Sequence, residues 1–113
     1  MDQEFEVAEG RRDGVPVVSV LGEVDVATAP ALREALDAAV DGGSDPLVVD
    51  LSAVTFIDST GLGVLIGARK RCIDAGRELR VVVSEPRILK VFEITGLNDL
   101  FTIHPALEPA LRS

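Results

Sequence analysis

The chain has 113 residues and a formal net charge of −8, with 47% hydrophobic and 27% charged side chains. That length builds one core rather than two, and that composition folds instead of staying disordered. One cysteine, Cys72, and one histidine, His104, exclude an internal disulfide and a Cys/His zinc site. The charge is lopsided: residues 1–50 carry twelve acidic and three basic side chains, residues 51–113 seven acidic and eight basic. An acidic half repels a phosphate backbone, so direct nucleic-acid binding is not expected. Residues 1–6 are acidic with no apolar run, and the longest apolar stretch, Leu62–Ala68, is seven residues with two glycines. Neither a secretory leader nor a membrane span is expected, and the cytoplasm is the expected compartment.

In chain order, Phe5-Glu6-Val7-Ala8-Glu9 alternates apolar and polar residues, the period of a half-buried strand. Arg11-Arg12-Asp13-Gly14 reads as a turn, and Val15–Leu21 as a central strand with Pro16 at its start. The two segments form an antiparallel hairpin. Gly22-Glu23-Val24-Asp25 is expected to break the strand, and Thr28 to cap a helix whose first turn holds Pro30. Leu32, Ala35, Leu36, Ala39 and Val40 fall on one helical face, which Gly42-Gly43 ends. Leu47–Leu51 is a short buried strand, which makes strand–helix–strand a parallel crossover. Ser52–Ile57 is expected to be a loop. A second helix follows, from about Asp58 to Ala75, with Leu62, Leu65, Ile66, Cys72 and Ile73 as its apolar face and Gly76 at its end. Leu79–Val83 is a further strand. Ser84-Glu85-Pro86 starts a helix with Ile88, Val91 and Phe92 inward, and Gly96 stops it. Leu100–Ile103 is an edge strand, and Pro105–Leu111 a last helical stretch. The sum is an α/β fold: a mixed sheet with crossover helices.

Little of this supports catalysis. A Ser-His-Asp triad needs its histidine near the nucleophile, whereas His104 sits beside Pro105 and reads as a solvated loop residue. There is no Gly-x-Ser-x-Gly elbow and no phosphate-cradling P-loop. Gly61, Gly63 and Gly67 give a spacing one residue off the dinucleotide fingerprint and read instead as close helix packing. Asp50 closes a strand as a receiver-domain phosphoacceptor does, but the acidic pair that would hold magnesium is missing, so a turn-capping role is expected. Cys72 reads as an inert core residue and Arg69-Lys70-Arg71 as a solvated face.

Asp58-Ser59-Thr60-Gly61-Leu62-Gly63 is the segment with most chemistry. Two hydroxyls stand where a helix begins. A helix cap needs only one such residue, and the glycines are poor helix formers that lower the steric profile around Ser59. A cap and a hydroxyl approached by another macromolecule are both open on these residues.

Three blocks carry a family resemblance: Gly22-Glu23-Val24-Asp25 with Ala27–Leu32, Leu47–Ser52, and Phe56–Gly63. In this order and spacing the sequence resembles the bacterial anti-sigma factor antagonists, the stand-alone STAS domains, from about Phe5 to Phe101. The resemblance implies a single STAS-type domain over residues 1–113 with its core at about 5–103. It implies a mixed, mainly parallel sheet of four to five strands with helices, opened by an N-terminal β-hairpin. It also implies a regulator without enzymatic activity, cofactor or metal. Unphosphorylated, such a protein binds an anti-sigma factor that is also a serine kinase with a histidine-kinase-like ATP fold, and the sigma factor is released. The kinase phosphorylates the antagonist, which lets go, and a metal-dependent serine phosphatase resets it. Ser59 matches the family's phosphoacceptor, with Thr60 as the secondary candidate. Loops at the carboxyl ends of neighbouring strands gather on one edge, so Glu23, Asp25, Asp58, Ser59, Thr60, Gly61, Leu62 and Gly63 are expected to form the partner-binding surface of a free monomer. Two alternatives stay open: a STAS module in a transporter or sensor assembly with no phosphoswitch, and a small nucleotide hydrolase using Gly61–Gly67.

Overall fold

The computed structural model describes residues 4–43 and 45–112. Asp13 and Gly14 have φ of 53° and 81°, the two left-handed residues of a two-residue hairpin turn whose twist matches its strands. They join β1 (Phe5–Arg12) to β2 (Val15–Val24), paired antiparallel from Phe5↔Gly22 to Arg12↔Val15. The chain continues through α1 (Ala29–Asp41), β3 (Leu47–Ile57), α2 (Ser59–Asp74), β4 (Leu79–Val82), α3 (Pro86–Thr95), a 3₁₀ turn at Leu97–Asp99, β5 (Thr102–His104) and α4 (Leu107–Arg112). The sheet order is β1-β2-β3-β4-β5, with every pair after the first parallel. Strands added in one direction by right-handed crossovers put their connecting helices on one face. Accordingly α1, α2 and α3 share the main core with Val18, Val20, Val49, Leu51 and Val81, and Phe92 meets Phe101 edge to face at 5.9 Å. α4 covers part of the other face, over Val17, Val48 and Val82.

Four expectations are corrected. Gly22–Asp25 does not break β2, which runs on to Val24, and Ser52–Ile57 is strand rather than loop. The two segments pair with each other as Glu23↔Phe56 and Val24↔Ile57, and two register shifts let β3 carry one extra residue at each. At the first shift the Asp50 carboxylate accepts from the Ser52 amide (3.0 Å) and hydroxyl (2.6 Å), a local capping role that satisfies the displaced residue. On α2, Ile66 and Ile73 are 41% and 54% exposed, and Val64 and Ala68 are buried in their place. In a run as apolar as Leu62–Ala68 the helical phase is set by packing, not by the pattern. His104 is no loop residue: it is half-buried in β5, and its carbonyl accepts from the Val83 amide.

Arg77 is 5% exposed. Its Nη1 donates to the carbonyls of Ala39 and Val40 at 2.7 Å each, and its Nε to that of Asp45 at 2.6 Å. Two of those carbonyls belong to the last turn of α1, which carries the negative end of the helix dipole; that of Ala39 also accepts from the Gly42 amide at 3.2 Å. Arg77→Leu removes the charged donor from all three carbonyls and leaves that of Ala39 with the Gly42 amide. It is expected to cost about 2–3 kcal/mol, as hydrogen bonds to charged groups do, measured by urea unfolding at unchanged m-value.

Candidate functional site

The site is built where β2 and β3 end side by side. The Asp58 amide donates to the Val24 carbonyl at 3.2 Å, which ties the loop before α2 to the end of β2. The expectation that these two loops are neighbours therefore holds. Asp58 is extended (φ −108°, ψ −174°), and its Oδ1 accepts from the amides of Thr60 (2.9 Å) and Gly61 (3.1 Å), a side-chain N-cap. The cap position is thus filled by the aspartate, and Ser59, exposed at the first residue of α2, is spare.

Asp25 organises the other loop. Its Oδ1 accepts from the amides of Ala27 (3.0 Å) and Thr28 (3.2 Å). Thr28 stands at the N-cap position of α1 but makes no side-chain cap. Its hydroxyl donates to the Glu23 carbonyl (2.9 Å) and accepts from the Asp25 amide (2.9 Å). The capping expectation for Thr28 is corrected on that ground: the hydroxyl closes the turn backwards and leaves the helix to begin on main-chain bonds.

The eight predicted residues separate. Asp58, Asp25, Ser59, Thr60 and Gly63 are exposed or half-buried at this end of the sheet. Alternation along β2 turns the Glu23 side chain to the face opposite Val24, so it serves the turn through its carbonyl. Gly61 and Leu62 are buried. A Cβ on Gly61 would lie 2.6 Å from Val24 Cγ1 and 2.9 Å from Ile57 Cγ1. Gly61 thus lets α2 settle on the strand ends rather than clearing space around Ser59, whereas a Cβ on Gly63 would meet nothing within 4 Å. α2 begins at Ser59, so Gly61, Gly63 and Gly67 lie inside the helix and form no loop around a phosphate. Sequence reasoning passed over Val26, 73% exposed between Asp25 and Ala27. An apolar residue inside an Asp–Thr turn was the available signal.

Elsewhere, Cys72 is fully buried, and burial pushes its thiol pKa up while Arg77 and Arg71 pull it down. Arg71 is not simply solvated, since it pairs with Asp37 across α1 and α2. Among the described residues no cluster of His, Cys, Asp and Glu is arranged to hold a metal ion, and no helix is long and apolar enough to cross a membrane.

Residues 8–110 match the STAS domain family. The chain is 38% identical over 103 residues to an anti-sigma-B factor antagonist of Listeria monocytogenes, covering 91% of this chain and 90% of that one. To the anti-sigma-B factor antagonist of Staphylococcus aureus it is 40% identical over 91 residues, 80% of this chain and 84% of the relative. The crystal structure of an anti-sigma factor antagonist from Mycobacterium paratuberculosis superposes with a TM-score of 0.86 at 38% identity, covering 96% and 92% of the two chains. The chain belongs to the STAS-domain family of anti-sigma factor antagonists. The expected fold class holds: this STAS domain is α/β, with a five-stranded mixed sheet opened by a hairpin.

At the start of α2 in this STAS domain, the cap can be separated from the charge. Asp58→Ala is expected to lower stability by about 1 kcal/mol, while Asp58→Asn, which caps as well, stays within about 0.5 kcal/mol of the parent. Thermal unfolding of the pair reads the difference directly, as a shift of about 4 °C for Asp58→Ala.

Proposed function

We propose that the chain is a phosphorylation-gated antagonist acting in the cytoplasm. Unphosphorylated, it binds an anti-sigma factor that is also a serine kinase with a histidine-kinase-like ATP fold, and the sigma factor goes free. The kinase phosphorylates Ser59, with Thr60 as the secondary site, and binding is lost. A metal-dependent serine phosphatase restores it. The chain itself performs no catalysis and needs no cofactor or metal.

The observation that carries this reading is the division of labour at the start of α2. Asp58 holds both amide hydrogen bonds of the cap, which leaves the adjacent Ser59 hydroxyl exposed and structurally unemployed. The names of the Listeria and Staphylococcus relatives support the antagonist role. The rigid edge formed by Asp25, Thr28 and Asp58 gives a partner a fixed surface, which lowers the ordering cost of docking.

The test is affinity capture from lysate of the source organism, with wild type, Ser59→Ala and Ser59→Asp as baits. The expected result is an ATP-binding serine kinase held by Ser59→Ala and lost with Ser59→Asp. The same partner held equally by all three baits makes Ser59 no switch and the chain a constitutive scaffold. A transporter ATPase in place of the kinase assigns the domain to a transport assembly.

A further inference from the structure

We propose that the free edge of β1 pairs antiparallel with β1 of a second copy of this chain, joining the two sheets into one. β1 closes one side of the sheet, and among the described residues no strand pairs with its outer side. Native sheets blunt such an edge with a short strand, a proline, a bulge or a row of charge. β5, at the opposite edge, is three residues long. β1 is eight residues long and has no proline, and its register against β2 runs unbroken from Phe5 to Arg12. The Arg12↔Val15 pair that closes the two-residue turn is a hydrogen-bonded one, so the main-chain groups of Arg12, Gly10, Ala8 and Glu6 face β2. Those of Phe5, Val7, Glu9 and Arg11 face outward. Pro16 agrees with this alternation: it stands opposite Arg11, at a pair that exchanges no hydrogen bonds.

Charge chooses the occupant. The whole chain carries −8, so two copies repel over most of their surface. β1 is the exception, because Glu6 and Glu9 are balanced by Arg11 and Arg12 further along the strand. A two-fold axis sets the acidic part of one strand against the basic end of the other, the self-complementarity that a symmetric dimer needs. A parallel pairing would set like against like. The register follows too. About such an axis, residues directly opposite share a face of the sheet, so odd positions oppose odd and even oppose even. With Ala8 on the axis, Phe5 opposes Arg11 and Val7 opposes Glu9, and every outward amide and carbonyl is met. Glu6 then lies diagonal to Arg12 of the second copy, on the face that bears Ala8 and Gly10, whose small size lets the strands close. Moving the axis to Glu9 sets that carboxylate against its own copy, and moving it to Val7 leaves Arg11 and Arg12 outside the pairing. Phe5 pairs with Gly22 near the Ser59 end of the sheet, so the joined copies point their Ser59 ends in opposite directions and both stay open. The dimer therefore stands apart from the function proposed above, and the free monomer expected from the family resemblance is the dilute form.

An interface of two strands is smaller than a standard one, so the dimer is weak, with a Kd on the order of 100 µM. Sedimentation velocity from about 10 µM to about 1 mM spans that value, and wild type is expected to pass from monomer to dimer across it. Glu9→Pro removes an outward N–H and leaves the pairing with β2 intact. It is expected to weaken dimerisation at least about 10-fold, with a melting temperature within about 4 °C of wild type. Arg12→Glu is expected to weaken it as well, and adding Glu6→Arg to restore it, a rescue that a merely misfolded variant would not give. Ala8→Cys stands on the axis at a pair without hydrogen bonds, where side chains approach most closely, and is expected to form a disulfide-linked dimer in air. Glu6→Cys, off the axis, is not; Cys72 is buried and takes no part. Wild type that stays monomeric throughout the range overturns the edge pairing. So does a dimer that Glu9→Pro leaves at full strength, or equal cross-linking of Ala8→Cys and Glu6→Cys.

Discussion

Ser59→Asp is expected to bind the kinase partner proposed for this chain at least about 100-fold more weakly than Ser59→Ala, while the two proteins melt within about 2 °C of each other. The two halves of that result have separate causes. Ser59 begins α2, where free amides and the positive end of the helix dipole favour an anion. A phosphate of about −1.5 to −2 charge is therefore tolerated by the domain itself. The partner is the one affected. The new charge adds to Asp58 and Asp25 on a surface that is already acidic, and docking must strip it of water with no new partner supplied. An uncompensated buried charge costs about 3–5 kcal/mol, roughly two to three and a half orders of magnitude in affinity. Calorimetry and thermal melts on the same preparations decide it. A large fall in melting temperature for Ser59→Asp would mean that the switch works by unfolding, and equal affinities would remove Ser59 as the switch.

Gly22→Ala is expected to be the most damaging single-methyl change in the chain. Gly22 has φ of +98°, and a Cβ there would lie 1.7 Å from the carbonyl oxygen of Glu4 and 2.7 Å from its carbonyl carbon. Both atoms are backbone, so no side chain can move aside. A strained φ at a non-glycine residue and an overpacked contact cost about 1–3 kcal/mol each. Together they predict a loss of about 3 kcal/mol, or roughly 12 °C in melting temperature. The consequence reaches the site, because Gly22 lies two residues before Val24, whose carbonyl holds the Asp58 amide. Weaker kinase binding should accompany the lost stability. A cost below about 1 kcal/mol would instead show that the first residues of β1 peel away to make room.

The hairpin was legible because Asp13-Gly14 is a strong local signal, and α1 because its apolar spacing has a single phase. The lengths of β2 and β3 were not. Gly22 and Ser52 look like strand breakers in isolation, and only the parallel pairing of Glu23 and Val24 with Phe56 and Ile57 keeps both segments extended. The inward face of α2 was half wrong, because seven nearly continuous apolar residues fit more than one helical phase. At the site, the segment from Asp58 to Gly63 could be singled out by its hydroxyls and glycines. The work of each residue could not: Gly61 is empty because Val24 and Ile57 approach it, a contact made across the sheet edge and invisible along the chain.

The buried position of Cys72 gives the chain a built-in clock. Its thiol has no solvent contact, and a buried thiol with a raised pKa reacts with a labelling reagent only while the fold is open. At reagent concentrations where labelling outpaces reclosing, the labelling rate at Cys72 counts opening events, and below them it reports the open population, in either case without a fluorophore and without altering any residue at the Ser59 end of the molecule. Phosphorylated and unphosphorylated chains can be timed in the same tube, so that a change in how often the domain opens is told apart from a change in what it holds.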